Sequence, residues 1–220
     1  MMMKKMMRIE ALNFTHEEIE EKYVKNTYED ISENFDDTRQ YVWPSVKAYL
    51  NEISPENKIL EVGSGNGRNL LYRPELDITG IDIVKNFIEM CRSKNCNVTF
   101  GDQRKIPFPD NSFNNVLSIA VLHHLVLPND RENAISEIIR VLKKDGTAMI
   151  QVWKNTLSTL DSDKNRLVSW QNRRDNKTYQ RYYYFYDFDE FYQLIDGFDT
   201  IKILKFYEER DNIICILQKI

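Results

Sequence analysis

Apolar positions along the chain change period several times, and those changes mark its elements. Ile19, Tyr23, Ile31 and Phe35 fall on one face at helical spacing. They follow Thr15 and Glu18, spaced as a capping box that opens a helix. Pro44, whose fixed φ suits a first helical turn, starts a second and shorter helix. From Lys58 the apolar runs shorten to strand length, at Lys58–Gly63, Ile78–Ile83, Asn97–Gly101, Asn115–Ala120 and Thr147–Trp153. Between them Lys85–Lys94 and Arg131–Leu142 carry helical spacing, the second with Asp130 as its expected N-cap. A short helix, Asp189–Ile195, precedes a hairpin of two apolar runs, Thr200–Tyr207 and Asn212–Gln218, turning at Glu208–Asp211.

This alternation predicts an α/β fold with a parallel, doubly wound sheet and helices on both faces. The 220 residues suit one domain spanning 1–220, with no repeats and no linker strong enough to divide it. Residues 1–15 are expected to be a disordered tip; Met1–Arg8 lacks the apolar core of a signal peptide. No apolar run approaches the roughly 20 residues that span a bilayer, so no membrane partner is expected. Residues 154–184 are polar and basic with little periodicity and are expected to form a substrate-facing insertion.

Charge and cysteines change the picture only slightly. A net charge of −4 does not mark a nucleic-acid binder, but a local basic stripe matters more than the total. Lys164, Arg166, Arg173, Arg174, Lys177 and Arg181 form such a stripe, interleaved with Trp170, Tyr179 and Tyr182–Tyr184. That mixture suits contacts to a nucleic-acid backbone and its bases. The cysteines Cys91, Cys96 and Cys215 are odd in number and make no Cys-x-x-Cys pair. A reducing, cytoplasmic location and no metal site are expected.

The most informative segment runs from Leu60 to Gly67, with glycines at Gly63, Gly65 and Gly67 directly after a strand. Glycines there let the chain turn sharply and let a ligand approach the backbone. A dinucleotide site prefers Gly-x-Gly-x-x-Gly, so that a pyrophosphate sits on the next helix N-terminus. Here the spacing is Gly-x-Gly-x-Gly and Glu61 precedes the turn, where a carboxylate would repel phosphates yet hold an ammonium. The pattern favours S-adenosylmethionine, with Ser64 and Asn66 in the same loop. Asp82 ends the second strand, roughly 20 residues past the glycines, where it can accept from ribose hydroxyls. Asp102 ends the third and can accept from the adenine amino group. Gln103, Ile119 and Ala120 are expected to line the same crevice.

Three further blocks carry a resemblance to a known family. Tyr23–Pro44 (with Phe35, Asp36, Asp37, Thr38, Arg39, Trp43), Ser118–His124 and Arg181–Tyr183 together resemble the eukaryotic tRNA carboxymethyluridine methyltransferases. Glu209–Asn212 extends the likeness, which runs from about Tyr23 to the end. The resemblance implies a Rossmann-like seven-stranded sheet of order 3-2-1-4-5-7-6 with an antiparallel last strand. It implies methyl-esterification of a 5-carboxymethyl group on the wobble uridine of a tRNA anticodon. It also implies a small zinc-ribbon activator protein as partner. In the implied order Asn97–Gly101 is an edge with neither Lys nor Pro to guard it, where a partner strand could add. The chain departs from the family pattern at Glu61 (usually Asp), at Ser64 (usually Cys) and at the apolar Leu125–Pro128.

A carboxymethyl group, with a pKa near ~4.3, is already ionised at neutral pH and needs no strong base. It needs one oxygen placed in line with the transferable methyl group. Arg39, Arg181 and His124 are the candidates for holding it, Arg because its planar fork matches a carboxylate. For His123 a structural role is expected. Trp153, Tyr182, Arg173 and Arg174 are candidates for the RNA. Two other readings remain: a small-molecule methyltransferase of the quinone-pathway kind, and a non-catalytic binding subunit with the same fold.

Overall fold

The structure, a computed structural model, describes residues 6–9, 13–156, 164–172 and 174–220. Thr15 closes the expected capping box with Glu18 at the start of α1 (His16–Glu20). The helix does not stop there. It passes through a π-helical turn at Glu21–Lys25 into α2 (Asn26–Thr38), the kind of irregularity that often adjoins a functional site. Pro44 occupies the first turn of α3 (Pro44–Asn51).

Strand β1 (Met6–Arg8) precedes these helices, and after them come β2 (Lys58–Val62), β3 (Asp77–Asp82), α4 (Lys85–Ser93), β4 (Asn97–Phe100) and β5 (Phe113–Ile119). Then follow α5 (Pro128–Val141), β6 (Leu142–Trp153), β7 (Asn165–Gln171), β8 (Thr178–Tyr184), α6 (Phe188–Asp196), β9 (Ile201–Glu209) and β10 (Asn212–Lys219). Among the described residues seven strands form one sheet in the order β4-β3-β2-β5-β6-β10-β9. Counted along that sheet alone, this is the expected 3-2-1-4-5-7-6. The first five are parallel, and β10 runs antiparallel to both its neighbours.

Strand alternation sends Leu60, Val62, Val116 and Ile150 to one face, with Ile31, Ile135 and Ile138 of the helices. Ile59, Leu117 and Met149 go to the other, with Val46, Leu50 and Ile88. Both faces are therefore helix-covered, and the inner strands are mostly apolar, with Glu61, Asp82, Ser118 and Gln151 among the buried polar exceptions.

Three expectations change. Residues 154–184 hold β7 and β8, which pair as an antiparallel hairpin, with β1 added alongside β7. Met6–Arg8, placed in the expected disordered tip, forms that added strand. Helix α5 begins at Pro128, so Asp130 sits inside its first turn and pairs with Arg104 instead of capping.

Candidate active site

A cavity of about 1620 Å³ opens at the carboxyl ends of β2, β3 and β5 and runs between α1, α2, β8 and the β9–β10 turn. That is where an open α/β sheet places its ligand.

The glycine turn forms its floor. Gly63 has φ +69°, and a Cβ there would lie 2.4 Å from Val121 Cγ2, so both conformation and space require glycine. Gly65 has φ +52°, yet a Cβ there would meet only Phe35 at 3.9 Å; its open side faces the cavity. Gly63 N and Ser64 N donate to the Ile81 carbonyl at 2.8 and 3.0 Å, locking the turn to β3. Asn66 donates to Asp36 Oδ1 and to the Arg39 carbonyl, tying the turn to the end of α2. Gly67 lies behind the wall, packed on Cys91, and does not face the cavity.

Glu61 is buried. Oε1 accepts from Asn69 Nδ2 at 2.5 Å, while Oε2 has no partner among the described residues. Burial pushes its pKa up to about 8, against Asn69 and Arg68, which lower it. An acidic oxygen left unpaired in a wall is an acceptor for a cation, so the residues fit a cofactor ammonium. Asp82 accepts from Gly65 N at 2.8 Å and Val84 N at 2.9 Å, and burial raises it to about 6. It therefore shapes the glycine turn as well as facing the cavity.

Asp102 lines the cavity but is gripped by Arg104, which also pairs with Glu20 and Asp130. The neighbouring Gln103 is buried with Oε1 unpartnered among the described residues, leaving a free acceptor for an amino group. Ile119 and Ala120 close the wall, Ala120 with φ +61°, a strained backbone for a residue with a Cβ.

The far end of the cavity is aromatic and cationic. Arg181, 1% exposed, projects from β8 into it. Its guanidinium lies 5.3 Å from the Tyr183 ring and 6.0 Å from the Tyr28 ring, its Nε is unpartnered, and no carboxylate pairs with it among the described residues. Arg39 stacks on Phe35 at 5.0 Å and donates to Thr38. Asp36 is taken by Lys94 and Asp37 by Arg174, so Arg39 has no ion pair either among the described residues. Burial lowers the Arg39 pKa, and the nearby Arg181 charge adds to the fall. Trp153 and Tyr183 stack 4.1 Å apart with planes 5° from parallel, making one wall.

The two histidines both line the cavity but are used differently. His124 Nδ1 lies 2.8 Å from the Tyr182 carbonyl, so it carries the proton, and Nε2 then accepts from Tyr28 Oη at 3.2 Å. Tyr28 is in turn 3.0 Å from Tyr183 Oη. His124, expected to hold the acceptor, has both ring nitrogens engaged.

The RNA candidates divide. Trp153 is in the cavity wall; Tyr182 is fully buried on the opposite face of β8, bonded to Asn165. Arg174 pairs with Glu33 and Asp37, and Lys164 with Asp187 and Glu190, so these two cations of the basic stripe are neutralised within the chain. Arg166 is buried, and Arg173 lies outside the described residues. Tyr28, Asn69 and Arg68 join the site without having been expected there. Tyr28 stands three residues before Ile31 on the face already read as inward, a signal present in the sequence.

Residues 60–150 match the model of a methyltransferase domain. A protein of Encephalitozoon cuniculi named "Putative methyltransferase" is 31% identical over 210 residues, covering 91% of this chain and 97% of that protein. The chain belongs to the methyltransferase family. This methyltransferase is also 37% identical over 153 residues to the tRNA (carboxymethyluridine(34)-5-O)-methyltransferase of Arabidopsis thaliana, covering 70% of this chain and 37% of that protein. The matched region spans between 22% and 37% of the three tRNA methyltransferases first matched. Its fold is shared, at TM-score 0.65 and 15% identity over 89% of this chain and 97% of the other, with a chain from the "Complex between the Haloferax volcanii Trm112 methyltransferase activator and the putative methyltransferase". Among the described residues no helix is long and apolar enough to cross a membrane, and no His, Cys, Asp and Glu cluster could hold a metal ion.

Proposed function

We propose that this methyltransferase esterifies the carboxylate of a 5-carboxymethyl group on the wobble uridine of a tRNA anticodon. The observation that carries the reading is the pair of guanidiniums, Arg181 and Arg39, close enough to feel each other's charge in the cavity and without a carboxylate partner among the described residues. A buried unpaired cation costs several kcal/mol, a cost that an anionic ligand removes.

S-adenosylmethionine, when bound, supplies an electrophilic methyl group. Glu61 would take its ammonium, Asp82 its ribose hydroxyls, and Gln103 with Asp102 its adenine amino group. The chain's task is then placement. Arg181 and Arg39 hold one acceptor oxygen and leave the other free to form the new C–O bond. No proton has to be removed, so no residue is assigned as a base. Trp153 and Tyr183 offer a flat wall for the uracil ring. The reading as a quinone-pathway enzyme suits a phenolic or carbon acceptor, for which two cations and no base are poor equipment.

Strand β4 is the open edge on which a small zinc-ribbon activator would add a strand. Gly101 N donates inward to Asp82, so by alternation the backbone groups of Val98 and Phe100 point outward. Arg92 caps the Val98 carbonyl at 3.0 Å, and the open remainder is Phe100, 58% exposed. Ile88 and Cys91 of the preceding helix are buried and add no apolar surface there. The odd number of cysteines, without a dense framework, supports a reducing, cytoplasmic location.

The deciding test is mass spectrometry of wobble nucleosides after incubation with undermodified tRNA, cofactor and activator. Methyl ester appearing at the wobble uridine supports the reading. Label entering a lipid extract and not tRNA overturns it, and failure to bind S-adenosylmethionine by calorimetry favours the silent subunit.

A further inference from the structure

His123 is fully buried in the cavity wall, and its two nitrogens have separate fates. The Trp153 backbone N–H donates to Nδ1 at 3.1 Å, so Nδ1 carries no proton. A neutral ring with Nδ1 unprotonated carries its proton on Nε2. That Nε2 has no partner among the described residues; the Ala120 carbonyl is near the ring but outside hydrogen-bond geometry. The ring cannot readily take a second proton. Burial lowers its pKa well below the usual value, and His124 and the Arg181 charge lower it further. Around it stand the rings of Tyr183 at 5.0 Å, Trp153 at 5.6 Å and His124 at 4.6 Å.

A buried N–H donor without a partner is rare in a folded protein unless a ligand supplies the partner. We infer that the Nε2–H of His123 is the neutral donor that holds the carbonyl-to-be oxygen of the acceptor carboxylate, beside Arg181 and Arg39. The inference rests on the ester-forming reading above and deepens it. It gives the site a reason to prefer a carboxylate. An ammonium would meet an N–H and two cations and be repelled, while an oxygen anion satisfies all three. A neutral donor also suits the course of the reaction. The attacking oxygen loses its charge as the C–O bond forms, but the other oxygen remains an acceptor in the ester, so the His123 bond persists while the pull of the cations falls. His123 thus orients the acceptor without anchoring its charge.

The test uses the full chain with its activator. His123→Ala should keep its affinity for S-adenosylmethionine within about twofold while methyl transfer to carboxymethyluridine tRNA falls about 100-fold, the size of losing one oxyanion donor. His123→Gln, which offers an amide N–H near the same place, should recover about tenfold. On the wild-type protein, the nitrogen-15 NMR resonance of the His123 Nε2–H should shift on adding 5-carboxymethyluridine with S-adenosylhomocysteine, and stay in place with 5-methyluridine, which lacks the acceptor oxygen. A carboxylate that leaves this resonance unmoved overturns the inference, as does a folded His123→Ala with wild-type transfer. If the resonance responds but wild-type protein never methylates tRNA, the tRNA reading fails and the carboxylate donor stands.

Discussion

On the proposed reading, Arg181 is placed for binding at the expense of stability. Its charge cannot be shed, since a guanidinium stays protonated in proteins, and no carboxylate among the described residues offsets it. Arg181→Met keeps the stem and removes the charge. The expected outcome is loss of methyl transfer by more than about 100-fold, unchanged cofactor affinity, and a thermal midpoint equal to or above wild type. A lower midpoint with transfer retained would assign Arg181 to the core. Glu61 and Asp82 make a related case at the cofactor end. Burial raises them from 4.5 to about 8 and from 3.8 to about 6. Between those limits the folded protein holds protons that the unfolded chain has released, so stability falls as pH rises from about 4 to 8 and then levels. Each tenfold rise in proton affinity on folding corresponds to about 1.4 kcal/mol. Urea midpoints without cofactor should therefore fall from pH 5 to 8, and Glu61→Gln should remove much of that fall. S-adenosylmethionine should stabilise more at pH 8.5 than at pH 6, because the ionised Glu61 then has its cation. Midpoints of Glu61→Gln that track wild type across this range would locate the burial cost elsewhere.

At the scale of elements, strand β8 decides which aromatic residues face the cavity. Side chains alternate along a strand, so Arg181 and Tyr183 face the cavity while Tyr182 and Tyr184 face away. Tyr182→Leu should destabilise the fold by ~1–3 kcal/mol and spare transfer in the folded fraction. Tyr183→Leu should lower transfer well beyond its effect on the thermal midpoint. The reverse pattern would mean that the register of the hairpin is wrong. The alternating strands and helices, the glycine turn and the acidic strand ends could be read in advance, because each rests on a local periodicity or a fixed spacing; the sheet order came from the family resemblance. The β7–β8 hairpin could not. Its strands carry Arg166, Ser169, Gln171, Gln180 and Arg181, polar residues that hide the two-residue alternation, and several are buried or paired only through tertiary contacts. Without the hairpin there was no parity with which to choose Tyr183 over Tyr182. The choice between His123 and His124 had the same cause: it depends on the Tyr182 carbonyl and the Trp153 N–H, which only the assembled chain brings to those rings.

For the whole molecule, the charges sort by place instead of by sign total. In the stretch that looked like a phosphate track, Lys164 and Arg174 are paired with Asp187, Glu190, Glu33 and Asp37, whereas Arg181 and Arg39, without a carboxylate among the described residues, line the cavity. On the proposed reading, recognition of the acceptor concentrates in the cavity, and a protein partner would add at the open β4 edge. Phe100→Asp should weaken the activator complex at least tenfold by calorimetry while leaving the fold intact; an unchanged complex would move the partner elsewhere. The central claim is that the two guanidiniums and the cofactor end of the cavity together act on a carboxylate. Mass spectrometry of the wobble nucleoside, after the protein, its activator and S-adenosylmethionine act on tRNA bearing 5-carboxymethyluridine, tests it most directly. The account predicts a gain of 14 mass units (about one CH₂, the size of a single added methyl) at that nucleoside, reversed by mild alkali as an ester must be. A nucleoside left unchanged, or methylated in a form that alkali does not remove, would contradict it.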